Sequence, residues 1–334
     1  MLAIDTQRIV AELIRIDWHP DLSIYASENF LKEVSDEYGW IGGVDSNGEL
    51  RCILPYTVIR TAGFRMIRFR TETLATAAEL HQSEELSFLN SVVEHFREAG
   101  ADMIIPSGNA AVFRNYPDGA VTAPYGTFIK HLERPDDVLF NELHADCRYN
   151  VRKALKTGIE IKSGPEYLDT AVELIRETLK RTGAEQVNGH NSLKRIVSAL
   201  GEHVRIFVAE YQGSIQACMV VPFSQHTAYD WYSGTTAKPE RGAMHLLLWE
   251  AIRQFRACGV KRFDFQGVRI DPKEGSKQEG IYNFKMRFGG TLVRGYMWKY
   301  AYRPLKFGAY SLAMRLLRGG DIVDQECVKL VAQN

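Results

Sequence analysis

Four sets of residues have types and spacings that could do chemistry. Near the C-terminus the stretch EGIYNFKMRFGG, Glu279 to Gly290, sets one lysine, Lys285, among three aromatic residues with a glycine pair after it. Placed on a helix, Ile281, Phe284 and Phe288 follow i, i+3, i+7 and would pack inward, whereas Tyr282 and Lys285 share a neighbouring face. The Lys285 ammonium either works at a reaction centre or snorkels over Phe284 into solvent. Asp264 in FDFQG stands on a strand just before a glycine, where open α/β units place functional side chains, and alternation points it away from Phe263 and Phe265. It could pair with Lys285, orient an amine, act as a base, or simply bond the adjacent turn. In YDWYSGTT, Trp231 and Tyr232 end a strand. Tyr232 has an apolar body and a polar tip, suited to a sugar or a base, or to core packing. Asp230 shares its strand face, with Trp231 on the other.

Basic groups that could meet phosphate occur in two places. Lys238 and Arg241 precede a helix starting near Gly242, and a helix N-terminus favours anions. Arg148, Arg152 and Lys156 recur at i, i+4, i+8, a positive stripe that could follow an RNA backbone or a diphosphate, or be a solvated face.

Composition narrows the classes. The 334 residues suit about two domains. Lys+Arg and Asp+Glu are equal at 41 each, so bulk charge gives no push toward nucleic acid, DNA included, and any anionic partner needs a local basic patch. The five cysteines are scattered without a CxxC pair, which suits free thiols in a reducing compartment. The nine histidines contain no HxxxH pair, so no metal is expected, and IPSGNA lacks the G-x-S-x-G turn of a serine hydrolase. The first residues lack a signal-peptide pattern and no apolar run reaches about 18 residues. The expected location is the cytoplasm.

The elements that must position these groups repeat. YGWIGGVDSNGELRCILPYTVIR reads as a hairpin around Ser46-Asn47-Gly48. SEELSFLNSVVEHFREAG reads as a helix with Ser83 as N-cap, ending at Gly100, and ADMIIP as a buried strand. In the second half VRIFVAEYQGSIQACMVVPF is a hairpin around Gln212-Gly213, and HTAYDWYSG a further strand. GAMHLLLWEAIRQFRACG is then a helix ending at Gly259, and VKRFDFQG a strand. This predicts a tandem α/β unit of about 150 residues. Between the halves PDDVLFNELHADCRYNVRKALKTG reads as one helix closing at Gly158, followed by two more in PEYLDTAVELIRETLKRTG and NSLKRIVSALG. TLVRGYMWKYAYRP alternates like a strand. LKFGAYSLAMRLLRGG is a final amphipathic helix that either covers its own core, as most do, or makes peripheral contact with a membrane. The units should pack rigidly around a cleft.

This order of elements resembles the acyltransferase fold called GNAT. Three blocks resemble a more specific family, the Fem (FemABX) peptidyltransferases. HADCRYNVRKALKTGIEIK looks like their R-x-x-x-R-K-A-x-x-x-G signature. YDWYSGTTAKPERGAMHLLLWEAIRQFRACGVKRFDFQGV is similar to their aromatic-strand, helix and strand block. GIYNFKMRFGG looks like G-x-x-x-F-K-x-x-F-G-G. The resemblance implies an α/β fold of mixed sheets, with tandem GNAT-like domains around an interdomain cleft. The expected domains are residues 1–135, residues 136–320 carrying the acyl-donor site, and a tail at 321–334. Pro165 to Gly201 leaves room for two short helices only, so the chain looks like the form without the coiled-coil insertion of the staphylococcal relatives.

The resemblance also implies an activity. Fem enzymes move an aminoacyl group from aminoacyl-tRNA, a co-substrate rather than a cofactor, to an amine; in the best-known members the acceptor is a peptidoglycan precursor. An amine attacking an ester requires a stabilised oxyanion and a route for a proton. The lysine at the position of Lys285 is implicated in donor binding and oxyanion stabilisation, and Tyr282 and Phe284 join it as substrate-contact candidates. An alternative is an acyl-CoA-dependent GNAT enzyme acting on an amino sugar or small amine. Against it, KPERGA has Arg241 where the CoA pyrophosphate loop wants glycine. A non-catalytic binding protein is the third reading. Known members hold the diphosphate with an arginine and a tyrosine before the second hairpin. The matching segment, RTGAEQVNGHNSLKR, offers Arg181 and no following tyrosine, which opens the acceptor to a small amine, a peptide or a surface-polysaccharide sugar.

Overall fold

The computed structural model describes residues 8–76, 80–108, 111–183 and 190–333. Residues 1–7 of the expected first domain, residue 334 of the tail and residues 184–189 of the diphosphate segment lie outside these. The described residues form a mixed α/β fold with a ten-stranded and a four-stranded sheet. Across the large sheet the order is Val10–Ile14, Glu37–Val44, Leu50–Thr61, Phe64–Phe69, Met103–Ile104, Thr291–Ala301, Val121–His131, Arg262–Arg269 and Thr227–Tyr229, and Leu74–Ala75 pairs with Leu50–Thr61. The small sheet runs Tyr232–Thr235, Ser214–Pro222, Val204–Tyr211, Glu160–Ser163.

The strand that closes the sheet comes from the far end of the chain. Thr291–Ala301 pairs antiparallel with Val121–His131 over most of its length and with Met103–Ile104 at its end. The two α/β halves therefore share one sheet and are fixed against each other by main-chain hydrogen bonds. Helix Gln82–Glu98 covers the N-terminal half through Phe88, Leu89, Val92 and Phe96. Helix Ala243–Ala257 covers the C-terminal half through Leu246, Leu247, Ile252 and Phe255 against Phe207, Phe263 and Phe265.

Both hairpin turns follow their sequences. Asp45 accepts from the N–H groups of Asn47 (2.8 Å) and Glu49 (3.0 Å), an Asx turn. Gln212 and Gly213 both have positive φ, 49° and 75°, as the twist of a two-residue hairpin requires.

Four expectations of detail change. The first long helix is capped at His81, not Ser83, because Glu84 reaches back to the His81 N–H at 2.7 Å. The helix expected from Pro135 to Gly158 is two, Asp136–Asn141 and Ala145–Thr157. Arg148 donates to the carbonyls of Asn141 and Leu143, satisfying the end of the first helix from inside the second. The strand expected over HTAYDWYSG divides: Thr227–Tyr229 belongs to the large sheet and Tyr232–Thr235 to the small one. Ile281 is 41% exposed, and Tyr282 turns inward instead, edge-on to Phe128 at 5.1 Å.

The helix Pro304–Arg318 has apolar residues on two faces. Phe307 and Tyr310 pack on Met66, Met103 and Ile105. Leu305, Leu312 and Leu316 lie on the outer face, 90%, 59% and 79% exposed, so covering its own core accounts for only half of this helix. No helix among the described residues is long and apolar enough to cross a membrane.

Candidate active site

The division of the strand at Asp230 makes the site. Thr227–Tyr229 runs parallel to Arg262–Asp264, and Asp230 donates its N–H to the Asp264 carbonyl at 3.0 Å. Beyond that bond the chain leaves for the small sheet and the two strands part. The neighbouring strand changes course too, through a bulge between Asp264 and Gly267. Gln266 in the bulge has φ 59°, which costs a non-glycine residue free energy unless its surroundings hold it. Three bonds hold it. Its N–H donates to Asp264 Oδ1 (2.6 Å), its side-chain amide to Tyr25 Oη (2.9 Å), and its carbonyl accepts from Lys285 Nζ (3.0 Å). Gly267 is required for a different reason: a Cβ there would stand 2.0 Å from the Tyr125 hydroxyl.

Lys285 reaches this bulge from helix Lys277–Arg287. Its ammonium donates to the carbonyls of Gln266 (3.0 Å) and Gly267 (3.2 Å). An ammonium carries three N–H donors, so one remains for a ligand. The stem of Lys285 is partly exposed but the ammonium lies deep. Burial pulls its pKa below the ordinary lysine value, and Asp230 and then Asp264 oppose that. Asp264 is 3% exposed. Its Oδ1 also accepts from Thr127 Oγ1 at 2.5 Å. Burial pushes its pKa up to about 6, and the carboxylate of Glu72 adds to the rise; Thr127, the Gln266 N–H and Arg262 counter it. Burial likewise raises Asp230, against Lys285 and the Ser233 hydroxyl, which donates to it at 2.7 Å.

Cavities open between the halves among the described residues. One of about 390 Å³ is lined by Asp264, Thr127, Arg262 and His226 from the C-terminal side of the sheet and by Ser23, Glu72 and Glu85 from the N-terminal half. Another, about 870 Å³, is lined by Trp231, Tyr232 and Ser233, by Arg68 and Ser107 of the N-terminal half, and by Tyr310, Met314 and Arg318 of the last long helix.

The candidates named from sequence fall into two groups. Lys285 and Asp264 meet through the bulge. Trp231 and Tyr232 touch at 4.8 Å between ring centroids and both line the larger cavity, so they share a wall rather than taking opposite faces. Phe284 packs on Phe288 (5.1 Å) and edge-on to His245 (5.4 Å), beside the lysine it precedes. Arg241 lies over the Tyr149 ring at 5.5 Å and donates to Asn150 Oδ1 at 3.2 Å. Arg287, at the end of the Lys285 helix and 3.6 Å from Asp146, joins Arg241 in adding to the burial that lowers the His245 pKa. Lys238 is exposed in the bend before Arg241. Arg148 is engaged by helix-end carbonyls and Arg152 lies over Phe140 at 5.2 Å. Arg181 donates to the carbonyl and hydroxyl of Thr235, both at 3.0 Å.

Residues 142–286 match the family model of the acetyltransferase (GNAT) domain. This stretch is similar to a GNAT domain. Asp230, Asp264 and Lys285 all lie within the matched residues. No curated protein matches the sequence. Among solved structures the chain is similar to FemX, with a TM-score of 0.67 at 15% identity over 89% of this chain and 99% of that one. It is also similar to the C-terminal domain of a protein named as a lysylphosphatidylglycerol synthetase from Agrobacterium fabrum, with a TM-score of 0.55 at 13% identity over 86% and 91%. A protein of unknown function from Bacteroides thetaiotaomicron gives 0.52 at 11% over 85% and 93%. At these identities the likeness is one of fold.

The helix that follows the parted strands, Ala243–Ala257, is capped by Gly242, φ 86°, pressed against the backbone of Asn150. N–H groups at this start are spent internally: Glu240 N–H on Gln216 Oε1 (3.1 Å) and Ala243 N–H on the Glu240 carbonyl (3.1 Å). Sequence reading missed Gln266, Asp230 and Thr127 as site residues. The glycine after Gln266 hinted at a bulge, and Asp230 sat in view beside Tyr232. Nothing in the sequence brings Thr127 to Asp264, since the contact spans 137 residues.

Proposed function

We propose that this GNAT-fold protein is an acyltransferase that moves an aminoacyl group from aminoacyl-tRNA to an amine, forming an amide. The observation that carries the proposal is the Lys285 ammonium, held by two peptide carbonyls beside the buried carboxylate of Asp264 and the half-buried one of Asp230, with one N–H left over. Such a donor, fixed before the reaction and away from bulk water, suits the oxygen of an ester carbonyl as it becomes an oxyanion. The acceptor arrives as an ammonium and must lose a proton to attack. Asp264, raised to about 6 and facing the smaller cavity, is matched to take that proton near neutral pH. The amine lone pair then forms the C–N bond, the ester C–O bond breaks, and its electron pair leaves on the ribose oxygen, which takes a proton.

Two features favour an RNA-borne donor. The backbone N–H groups of Glu240 and Ala243, which could help to wrap a pyrophosphate, already have partners. Arg241 and Arg287, the latter shared with Asp146, bring two guanidinium groups near His245 beside the Lys285 helix, where a nucleic-acid backbone could lie. The CoA-dependent reading draws on the parting of two parallel strands within a domain matched to acetyltransferases.

The test is to supply a pool of radiolabelled aminoacyl-tRNAs and, separately, acetyl-CoA, with a panel of amines, and to follow loss of donor. Loss from aminoacyl-tRNA alone is expected; turnover of acetyl-CoA alone would replace this reading with the second. Lys285→Met should lower the rate by about 10²–10³-fold, the usual effect of deleting one oxyanion donor. An undiminished rate in that variant would remove the role given to Lys285.

A further inference from the structure

The helix Pro304–Arg318 is held by its inner face. Phe307 and Tyr310 pack on Met66, Met103 and Ile105. Lys306 donates to Asp102 and to the Gly63 carbonyl, both at 2.9 Å. At the far end the Gly319 N–H, φ 70°, donates to the Arg315 carbonyl at 3.0 Å, and that of Gly320 to the Met314 carbonyl at 3.1 Å. A helix fixed along one face and at both ends cannot roll its other face inward.

That other face is apolar. Leu305, Ala309, Leu312 and Leu316 follow i, i+4, i+7, i+11, and all are exposed. Leu317 stands beside them. Leu305, Leu316 and Leu317 are the three most exposed large apolar side chains among the described residues. A single exposed leucine needs no explanation, but a continuous row marks a surface that meets a partner.

Charge selects the partner. From 303 to 318 the charged residues are Arg303, Lys306, Arg315 and Arg318, all basic. At about 3.6 residues per turn, Lys306 and Arg315 flank the leucine row on opposite sides. The acids that follow do not cancel them. Asp321 and Asp324 are each bound by Lys299 at 2.8 Å, and Glu326 by Arg269 at 3.1 Å. Two copies of this face would set like charges against each other. The leucine row alone also falls short of the roughly 1,000 Å² that a stable protein interface buries. An anionic bilayer takes projecting leucines without having to match their shape, and its headgroups attract the flanking cations.

We propose that this outer face seats the protein on an anionic lipid surface. The helix lies in the plane of the interface, with its leucine row at the acyl boundary and Lys306 and Arg315 at the level of the lipid phosphates. The inference stands apart from the acyl-transfer reading, because it concerns where the protein sits and not what it transfers.

Sedimentation with vesicles tests it. Phosphatidylcholine vesicles containing phosphatidylglycerol should retain the wild type, and phosphatidylcholine alone should retain it far less. Retention should fall as salt rises, since exposed charges are screened. Leu305→Gln with Leu316→Gln should weaken it by about 10-fold for each leucine withdrawn, and Arg315→Gln by about 5-fold. These side chains are exposed, so both variants should melt as the wild type does. Lys285→Met should be retained like the wild type, which separates failure of this surface from failure of the acyl-transfer reading. No retention of the wild type, equal retention by neutral vesicles, or retention that either variant keeps in full would overturn the proposal. So would concentration-dependent self-association in sedimentation velocity that the leucine variant abolishes, which would assign the row to a second copy of the chain.

Discussion

Replacing Asp264 by asparagine should make the protein more stable at pH 8 and less active. Asp264 is raised from 3.8 to about 6, chiefly by burial, and at about 1.4 kcal/mol per pKa unit that is ~3 kcal/mol against the ionised form. An acid whose folded pKa exceeds its unfolded one binds more protons when folded between the two values. Stability therefore falls as pH rises from near 4 through 6 and levels off above. Asparagine does not titrate, so the variant escapes this loss. Its Oδ1 can still accept from Thr127 and the Gln266 N–H, although exchanging a charged acceptor for a neutral one weakens those bonds by ~1 kcal/mol. The net gain at pH 8 is ~2 kcal/mol, or roughly 3 °C in Tm for a chain of this length, shrinking to nothing or reversing near pH 4. Thermal melts of both proteins from pH 4.5 to 8 measure it, and amide formation measured alongside should fall with loss of its inflection near pH 6. A Tm difference independent of pH, or a variant less stable at pH 8, would show that Asp264 is not penalised by burial as described.

Two further outcomes test the fold around the site and the last helix. Gly242→Ala should destabilise by about 2 kcal/mol or more by denaturant melts, because φ is 86° and the new Cβ would stand 2.4 Å from the Asn150 carbonyl. Leu312→Glu with Leu316→Glu should leave Tm within about 2 °C of the wild type, since both side chains are exposed, yet abolish any sedimentation with anionic vesicles. Unchanged sedimentation would mean that the outer face of this helix does not meet lipid.

The legible parts of this protein were those fixed by neighbours in sequence. Apolar periodicity placed the main helices, and the turns at Asp45–Glu49 and Gln212-Gly213 followed from local chemistry. The run around Lys285 announced a lysine on a short helix near an aspartate-bearing strand. It could not say that Tyr282 rather than Ile281 turns inward, because three apolar residues at near-helical spacing fit more than one face. Arg148 and Arg152 looked like a phosphate stripe, since sequence shows charge but not which carbonyl or ring that charge will meet.

Sequence alone determined the alternation of elements, the local caps and turns, and the residue types available for acyl transfer. Tertiary structure decided which of them meet. The strand through Tyr229 and Tyr232 is cut by a competition between two sheets for the same backbone donors and acceptors, and that competition leaves Asp230 in the gap. Thr127 reaches Asp264 because Val121–His131 pairs directly with Arg262–Arg269, and Tyr25 reaches Gln266 from the short helix Ile24–Ala26. Thr291–Ala301, on the other edge of Val121–His131, joins the halves into one sheet. The environment that lifts Asp264 to about 6 is assembled from residues far apart in the chain. Desolvation is a property of everything packed around a group, so no stretch of the sequence carries it.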